Sequence, residues 1–186
     1  MYIDHLLNGW LIKVNKIMKN KSLLFIFFSD LRNLDCPSVA ILMGYGGLIP
    51  FLGGVIFLVS GIDLVLDSSA ILIYYGAVIL SFTGAILWGF ATKETLTKNT
   101  SQKKRNEILF MWSIIPALIA FFALITGNFV SYILLISGFS ISYIYDLKAL
   151  KIIKLPSWYL PLRARLTTIA ILCLVFALFW NLFYGI

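Results

Sequence analysis

Five long apolar segments dominate this sequence and restrict the folds that are open to it. They cover residues 39–61, 69–91, 108–127, 128–145 and 166–185, and none of them contains Lys, Arg, Asp or Glu. A helix of about twenty residues crosses the hydrocarbon core of a bilayer. Because lipid offers no hydrogen-bond partners to the backbone, each segment has to be helical. The sequence therefore predicts an all-α integral membrane protein with five transmembrane helices.

The composition excludes a soluble globular domain. Of the 186 residues, 61% are hydrophobic and 12% are charged, whereas soluble domains are roughly half apolar and about one quarter charged. A soluble fold of this length could not bury so much apolar surface. We assign residues 38–186 to one transmembrane domain and treat residues 1–37 as a separate N-terminal segment.

The basic residues all fall on one side of the predicted domain. Five precede the first span, five lie between the second and third spans, and five lie between the fourth and fifth. The positive-inside rule places this side in the cytoplasm or the mitochondrial matrix, with the N-terminus inside and the C-terminus outside. The net charge of +7 is explained by this distribution and calls for no nucleic-acid partner.

The N-terminal segment has a different pattern. In residues 1–20, apolar side chains recur at helical spacing, and Lys13, Lys16 and Lys19 lie on the opposite face. This pattern is typical of an amphipathic helix in the headgroup plane, with its lysines toward anionic lipid headgroups. The alternative is that the native chain begins at Met18, which would make the preceding residues an extension.

Two stretches of the chain resemble each other. Residues 47–61 (GLIPFLGGVIFLVSG) and 113–127 (SIIPALIAFFALITG) share a proline at the fourth position, Pro50 and Pro116, and close on Gly61 and Gly127. Each stretch opens a helical hairpin on the basic side. The match predicts a parallel repeat of two hairpins followed by a C-terminal helix, with a kink at each proline. Chance similarity among apolar residues is the alternative.

Small residues recur at every fourth position of the second span. They are Ala77, Ser81, Ala85 and Gly89, and Gly76 and Gly84 lie beside them. Small residues allow close approach of helix backbones in a membrane, where no hydrophobic effect drives association. The stripe therefore predicts a helix-packing face, either within the chain or toward another subunit.

Residues typical of catalysis or of cofactor binding are scarce. The chain has one histidine, His5, and two distant cysteines, Cys36 and Cys173. They support neither a disulfide framework nor a metal site. The serines within the spans have no neighbouring His or Lys to activate them. We assign no catalytic residue, metal ligand or cofactor, and we expect no enzymatic activity.

One polar segment stands out at residues 155–168, LPSWYLPLRARLTT. Trp158 and Tyr159 suit the membrane interface, and Arg163 and Arg165 stand at the start of the last span. One interpretation is an interfacial anchor with snorkelling arginines. The other is a contact site for lipid headgroups or a partner protein, since arginine binds phosphate in a bidentate way.

Four blocks of this chain resemble a known family. They are GYGGLIPF at 44–51, YYGAVILSFTGAILWG at 74–89, WSIIPAL at 112–118 and PSWYLPLRARLT at 156–167. The chain is similar over about residues 38–180 to the domain of unknown function 3429 family, whose members are transmembrane protein 69-like. The resemblance implies a multi-pass protein of a bacterial or mitochondrial inner membrane and implies no activity.

Two functional hypotheses follow from these observations. The leading one is a non-catalytic scaffold, assembly factor or accessory subunit of a larger inner-membrane complex, because the spans lack charges and cofactor ligands. The alternative is a small carrier or binding protein for a neutral or lipidic substrate. A cavity lined by Pro50, Pro116, Tyr74 and Tyr75 would favour the carrier, and a filled core would favour the scaffold.

Overall fold

The computed structural model describes residues 36–61, 67–95, 103–149, 153 and 155–184. The described residues form six helices. These are α1 (Ser38–Gly46), α2 (Ile49–Ser60), α3 (Ser68–Thr95), α4 (Lys103–Thr126), α5 (Asn128–Ala149) and α6 (Tyr159–Tyr184). The N-terminal amphipathic segment lies outside the described residues, apart from Cys36 and Pro37, and its helix stays a prediction.

The predicted all-α membrane fold is confirmed. Five spans are long and apolar enough to cross a bilayer, and α1 and α2 together form the first of them, Ser38–Ser60. The other four spans lie within α3, α4, α5 and α6. The chain therefore alternates direction from span to span, which gives the bundle two distinct ends.

We name these ends by their charge. Lys93, Lys148 and Arg163 mark the basic end, where α1, α4 and α6 begin and α3 and α5 end. At the opposite end, which we call the far end, α2, α4 and α6 end and α3 and α5 begin. All sites discussed below are assigned to one of these two ends.

The core lies around α3, which contacts α2, α4, α5 and α6. Its centre is a layer of fully buried apolar side chains. They include Phe51, Leu80, Leu135, Phe139 and Leu174. The Phe51 ring packs edge-on against Tyr75, at a centroid distance of 5.1 Å, and against Phe139, at 6.2 Å. This layer fills the middle of the bundle.

The helices around the two repeated prolines differ. Pro50 lies in the first turn of α2, after a break at Gly47 and Leu48 that separates α2 from α1. Proline lacks an N–H and clashes with the carbonyl four residues earlier, so a helix is interrupted before it. Gly47 and Leu48 keep right-handed helical dihedrals, with φ of −65° and −87°, so the interruption is local and the kink at Pro50 stays a prediction. The Tyr75 hydroxyl donates to the Gly47 carbonyl there at 2.8 Å.

Pro116 lies inside the continuous helix α4 and is fully buried. A kink at this position stays a prediction, as does the superposition of the two hairpins. The two glycines, by contrast, behave alike. Gly61 has φ +62° and Gly127 has φ +65°, which is the left-handed conformation that ends a helix. The prediction that each glycine ends its span is confirmed.

The small-residue stripe of α3 is not a continuous packing face within the chain. Ala77 is buried and Ser81 is partly buried, but Ala85 and Gly89 are exposed. A row of every fourth residue rotates by about 40° per step around a helix of 3.6 residues per turn. The row therefore leaves the core toward the basic end. A contact between the exposed part of this row and another subunit stays a prediction.

The close approach of α3 to another helix occurs instead at Gly84. A Cβ atom added there would overlap the Ser113 carbonyl oxygen and would lie 3.2 Å from Cγ of Pro116. Only glycine lets the backbones of α3 and α4 meet at this distance. Gly84, which the sequence placed beside the stripe, is thus the packing residue at this crossing.

Candidate functional site

A buried ion pair lies at the basic end, where the sequence predicted no intramembrane charge. The Arg163 Nε donates to Oδ2 of Asp146 at 2.8 Å. Asp146 is 0% exposed and Arg163 is 7% exposed. The fourth apolar segment was ended at residue 145, one position before Asp146, although α5 continues to Ala149. The expectation of charge-free spans is therefore wrong at this end of the bundle.

Three further side chains complete this ion pair. The Tyr159 hydroxyl donates to Oδ1 of Asp146 at 3.3 Å, and Nη2 of Arg163 donates to the Ser142 hydroxyl at 3.3 Å. Ser142 also shares a hydrogen bond with Thr83 at 3.2 Å. We call these five residues the basic-end cluster. It joins α3, α5 and α6 through side-chain hydrogen bonds.

Helical spacing explains how the cluster assembles. Ser142 and Asp146 are four residues apart on α5, and Tyr159 and Arg163 are four residues apart on α6, so each pair shares one helix face. Pro161 is tolerated between them because it lies in the first turn of α6, where backbone N–H groups have no intrahelical partners. The spacing was readable in the sequence, but the pairing of the two faces was not.

The predicted headgroup site is corrected in part. Arg163 and Tyr159 are buried against Asp146, because an uncompensated carboxylate in the bundle would be far costlier than a paired one. They are therefore not presented to lipid headgroups. Trp158 and Arg165 are partly exposed, and a headgroup or partner contact at these two residues stays a prediction.

A small cavity of about 140 Å³ lies beside the cluster. Arg163, Thr83 and Thr167 line it together with apolar side chains that include Phe51 and Phe139. The Thr167 hydroxyl is buried and has no hydrogen-bond partner among the described residues. The volume suits a few ordered water molecules, which would satisfy this hydroxyl.

A larger cavity, of about 380 Å³, opens at the far end. Three side chains on its floor form a closed network. The Ser69 hydroxyl donates to Oδ1 of Asn181 at 3.1 Å, and Nδ2 of Asn181 donates to the Tyr132 hydroxyl at 3.3 Å. The Tyr132 hydroxyl donates to the Ser69 carbonyl at 3.2 Å. The network links α3, α5 and α6 and gives the far-end cavity a polar floor.

The rim of the far-end cavity is apolar and exposed. Tyr74, Leu124, Phe129 and Leu182 line it with exposed fractions of 51%, 44%, 45% and 55%. These side chains lie on helices that are apolar enough to span a bilayer. The cavity therefore combines a polar floor with a rim of exposed apolar side chains.

One carboxylate borders the far-end cavity. Asp67 precedes α3, and its Oδ1 accepts the Ser69 backbone N–H at 3.0 Å, which makes it the N-cap of the helix. Within the part of the chain that the structure describes, no Lys or Arg lines this cavity. Sequence reasoning missed Asp67, Ser69, Tyr132 and Asn181, because they come from three separate segments and only the fold brings them together.

Neither cavity matches the one that the carrier hypothesis required. Of the four residues named for it, Tyr74 lines the far-end cavity, while Pro50, Pro116 and Tyr75 line neither cavity. The fully buried layer around Phe51, Leu80 and Leu135 separates the two ends. The described residues contain no group of three or more His, Cys, Asp or Glu that could hold a metal ion.

Comparisons with known proteins agree with the fold. A family model described as "Protein of unknown function (DUF3429)" matches residues 36–179. A relative from Xenopus tropicalis, "Transmembrane protein 69", is 35% identical over 150 residues, which are 78% of this chain and 56% of the relative. The chain thus spans little more than half the length of that relative. No solved structure matches.

Proposed function

Because the chain belongs to the DUF3429 family, whose function is unknown, we propose a function from its own geometry: it binds a membrane lipid, with the polar end of the lipid in the far-end cavity. The observation that carries this proposal is the combination of a polar floor and an exposed apolar rim in one cavity. A soluble metabolite needs no such rim, whereas a lipid headgroup with attached acyl chains needs both parts.

The position of the cavity supports this function. Ser69 lies in the first turn of α3, and Asn181 lies in the last turn of α6, so the floor is close to where both helices reach the membrane surface. Lipid headgroups occupy this level of the bilayer. A lipid could therefore place its headgroup on the floor while its acyl chains stay in the surrounding leaflet.

The size of the cavity fits part of a lipid. Small-molecule sites commonly have volumes of about 300–1,000 Å³, and the far-end cavity has about 380 Å³. This volume accommodates a headgroup and its glycerol linkage but not two acyl chains. The acyl chains would lie along cavity-lining side chains that are further from the far end than the floor, namely Tyr74 and Leu178.

The filled core favours binding over transport. The buried layer that includes Phe51, Leu135 and Phe139 closes the bundle between its two ends. A carrier would have to open this layer in each cycle. We therefore propose a lipid-binding protein and retain from the carrier hypothesis only its lipidic ligand. We also propose that it resides in a bacterial or mitochondrial inner membrane, as its family resemblance suggests.

Filling the cavity tests the proposed function. Ala70 lines the cavity, and Ala70→Phe would occupy the space of the headgroup. The matched control is Val78→Phe, two turns along α3 on a surface that is 63% exposed. Native mass spectrometry of purified protein should show one retained lipid for the wild type and the control, and none for Ala70→Phe. Equal retention by all three proteins would refute the proposal.

A role as a scaffold is the second candidate. The absence of intramembrane charge no longer supports it, because Asp146 and Arg163 are buried within the bundle. The exposed part of the small-residue stripe does support it. A Cβ atom added at Gly89 would meet no atom within 4 Å, so this surface has room for a helix of another inner-membrane protein.

Site-specific crosslinking distinguishes this second candidate. A photoreactive residue at Ala85 in native membranes should give one discrete protein adduct, which a Gly89→Ile substitution should abolish. The same photoreactive residue in place of Met111, which is 70% exposed on α4, should give no protein adduct. Adducts with lipid alone at both positions would rule out a helix partner on this surface.

A further inference from the structure

We propose that the far-end cavity selects a lipid whose headgroup carries a primary amine. This inference rests on the proposed function and adds the chemical class of the headgroup. It follows from the hydrogen-bond capacity and the charge of the residues that line the cavity. The hydrogen bonds among the lining residues determine the capacity, and Asp67 determines the charge.

The floor of the cavity has used up its hydroxyl donors. The Ser69 hydroxyl donates to Asn181, and the Tyr132 hydroxyl donates to the Ser69 carbonyl. Ser131, which also lines the cavity, donates its hydroxyl proton to the Ala123 carbonyl. The free capacity of these hydroxyls consists of oxygen lone pairs, and the remaining side-chain donors that line the cavity are the second N–H of Asn181 and the Tyr74 hydroxyl on the rim. Acceptor sites therefore outnumber donors on the floor, which favours a ligand that brings hydrogen-bond donors.

Asp67 adds a negative charge to this acceptor surface. Its Oδ1 is engaged by the Ser69 N–H, and the carboxylate has a second oxygen for a ligand. Asp67 is exposed, so a headgroup can reach it from the membrane surface. A hydrogen bond between a carboxylate and an ammonium group is one of the stronger polar contacts in proteins.

Helix dipoles do not reverse this charge. The helices α3 and α5 begin around the cavity, while α4 and α6 end there, so their terminal partial charges roughly offset one another. Because none of the described residues that line the cavity is Lys or Arg, a headgroup with only a negative phosphate would meet no counter-charge among them. An ammonium group satisfies both the lone pairs and the charge.

Three lipids with the same acyl chains separate the possible outcomes. Phosphatidylethanolamine carries an ammonium with N–H donors, phosphatidylcholine carries a quaternary ammonium without them, and phosphatidylglycerol carries only the phosphate charge. Delipidated protein in detergent should retain phosphatidylethanolamine about tenfold better than either competitor, as expected for a charge-assisted hydrogen bond. Native mass spectrometry of equimolar mixtures measures this ratio.

Asp67→Asn is the informative variant. Asparagine caps a helix about as well as aspartate does, so α3 should keep its N-terminus while the cavity loses its charge. The preference for phosphatidylethanolamine over phosphatidylglycerol should fall to near unity in this variant. Glu107→Asn, an exposed carboxylate outside the cavity, should leave the preference unchanged.

The outcomes separate the two proposals. Retention of none of the three lipids by the wild type would overturn lipid binding itself. Three outcomes would overturn the amine assignment and leave lipid binding in place. They are equal retention of all three lipids, equal retention of phosphatidylcholine and phosphatidylethanolamine, and a preference for phosphatidylethanolamine that survives Asp67→Asn. Binding of soluble phosphoethanolamine as tightly as phosphatidylethanolamine would show that the acyl chains contribute nothing, which would overturn lipid binding itself.

Discussion

At the scale of single residues, the basic-end cluster buries two opposite charges and carries their desolvation cost. Asp146 and Arg163 are both withdrawn from solvent, and their hydrogen bonds with Tyr159 and Ser142 compensate for the lost hydration. The sequence does not reveal this pair, because a charge beside an apolar run ordinarily marks the end of a span. Its two members come from different helices, so no local pattern joins them.

Removal of one member should destabilise the protein more than removal of both. Asp146→Leu leaves a buried guanidinium without its counter-charge, and breaking such a pair typically costs about 3–5 kcal/mol. The double variant Asp146→Leu with Arg163→Met should recover a large part of this loss. Unfolding in mixed detergent micelles measures the free energies. Glu107→Gln, at an exposed carboxylate of α4, is the control and should have little effect.

At the scale of helices, the crossing of α3 and α4 depends on a single glycine. A Cβ atom at Gly84 would overlap the Ser113 carbonyl oxygen and press on the Pro116 ring. The sequence indicated that small residues of the second span pack closely, but it selected a row that turns outward at Ala85 and Gly89. The direction of a helix face toward its neighbours depends on tertiary packing, which a spacing pattern does not contain.

Two glycine substitutions test this crossing. Gly84→Ala should lower the free energy of unfolding by about 1–3 kcal/mol, because backbone at a helix crossing cannot move aside cheaply. Gly89→Ala adds the same methyl group to the same helix where nothing lies within 4 Å. It should be neutral or stabilising, since alanine favours helix over glycine by about 1 kcal/mol. Equal effects of the two substitutions would show that Gly84 is not a contact point.

At the scale of the whole molecule, the sequence predicted five spans and the glycine ends of two of them, and the structure agrees. Hydropathy and glycine signals are local, so they can be read from the chain directly. The far-end cavity could not be predicted, because its floor joins Ser69, Tyr132 and Asn181 from three helices. Orientation in the membrane follows from charge alone and stays a prediction.

The charge distribution predicts where the C-terminus lies. All fifteen Lys and Arg residues belong to segments on one side of the domain, and positive segments are retained inside. A reporter fused after Ile186 should therefore read outside, and a reporter inserted at residues 96–102 should read inside. An inside signal after Ile186 would mean that the five spans are oriented against the positive-inside rule or that one of them does not cross.

The far-end cavity itself offers the most direct test of lipid binding. A high-resolution density map of the protein in nanodiscs made from its native lipids would show what occupies the cavity. We predict a lipid headgroup whose polar atoms lie within about 3 Å of the carboxylate of Asp67 and of the side chains of Ser69 or Asn181, with acyl chains along Tyr74 and Leu178. A cavity that contains only water, or that neighbouring side chains fill, would contradict the proposed function.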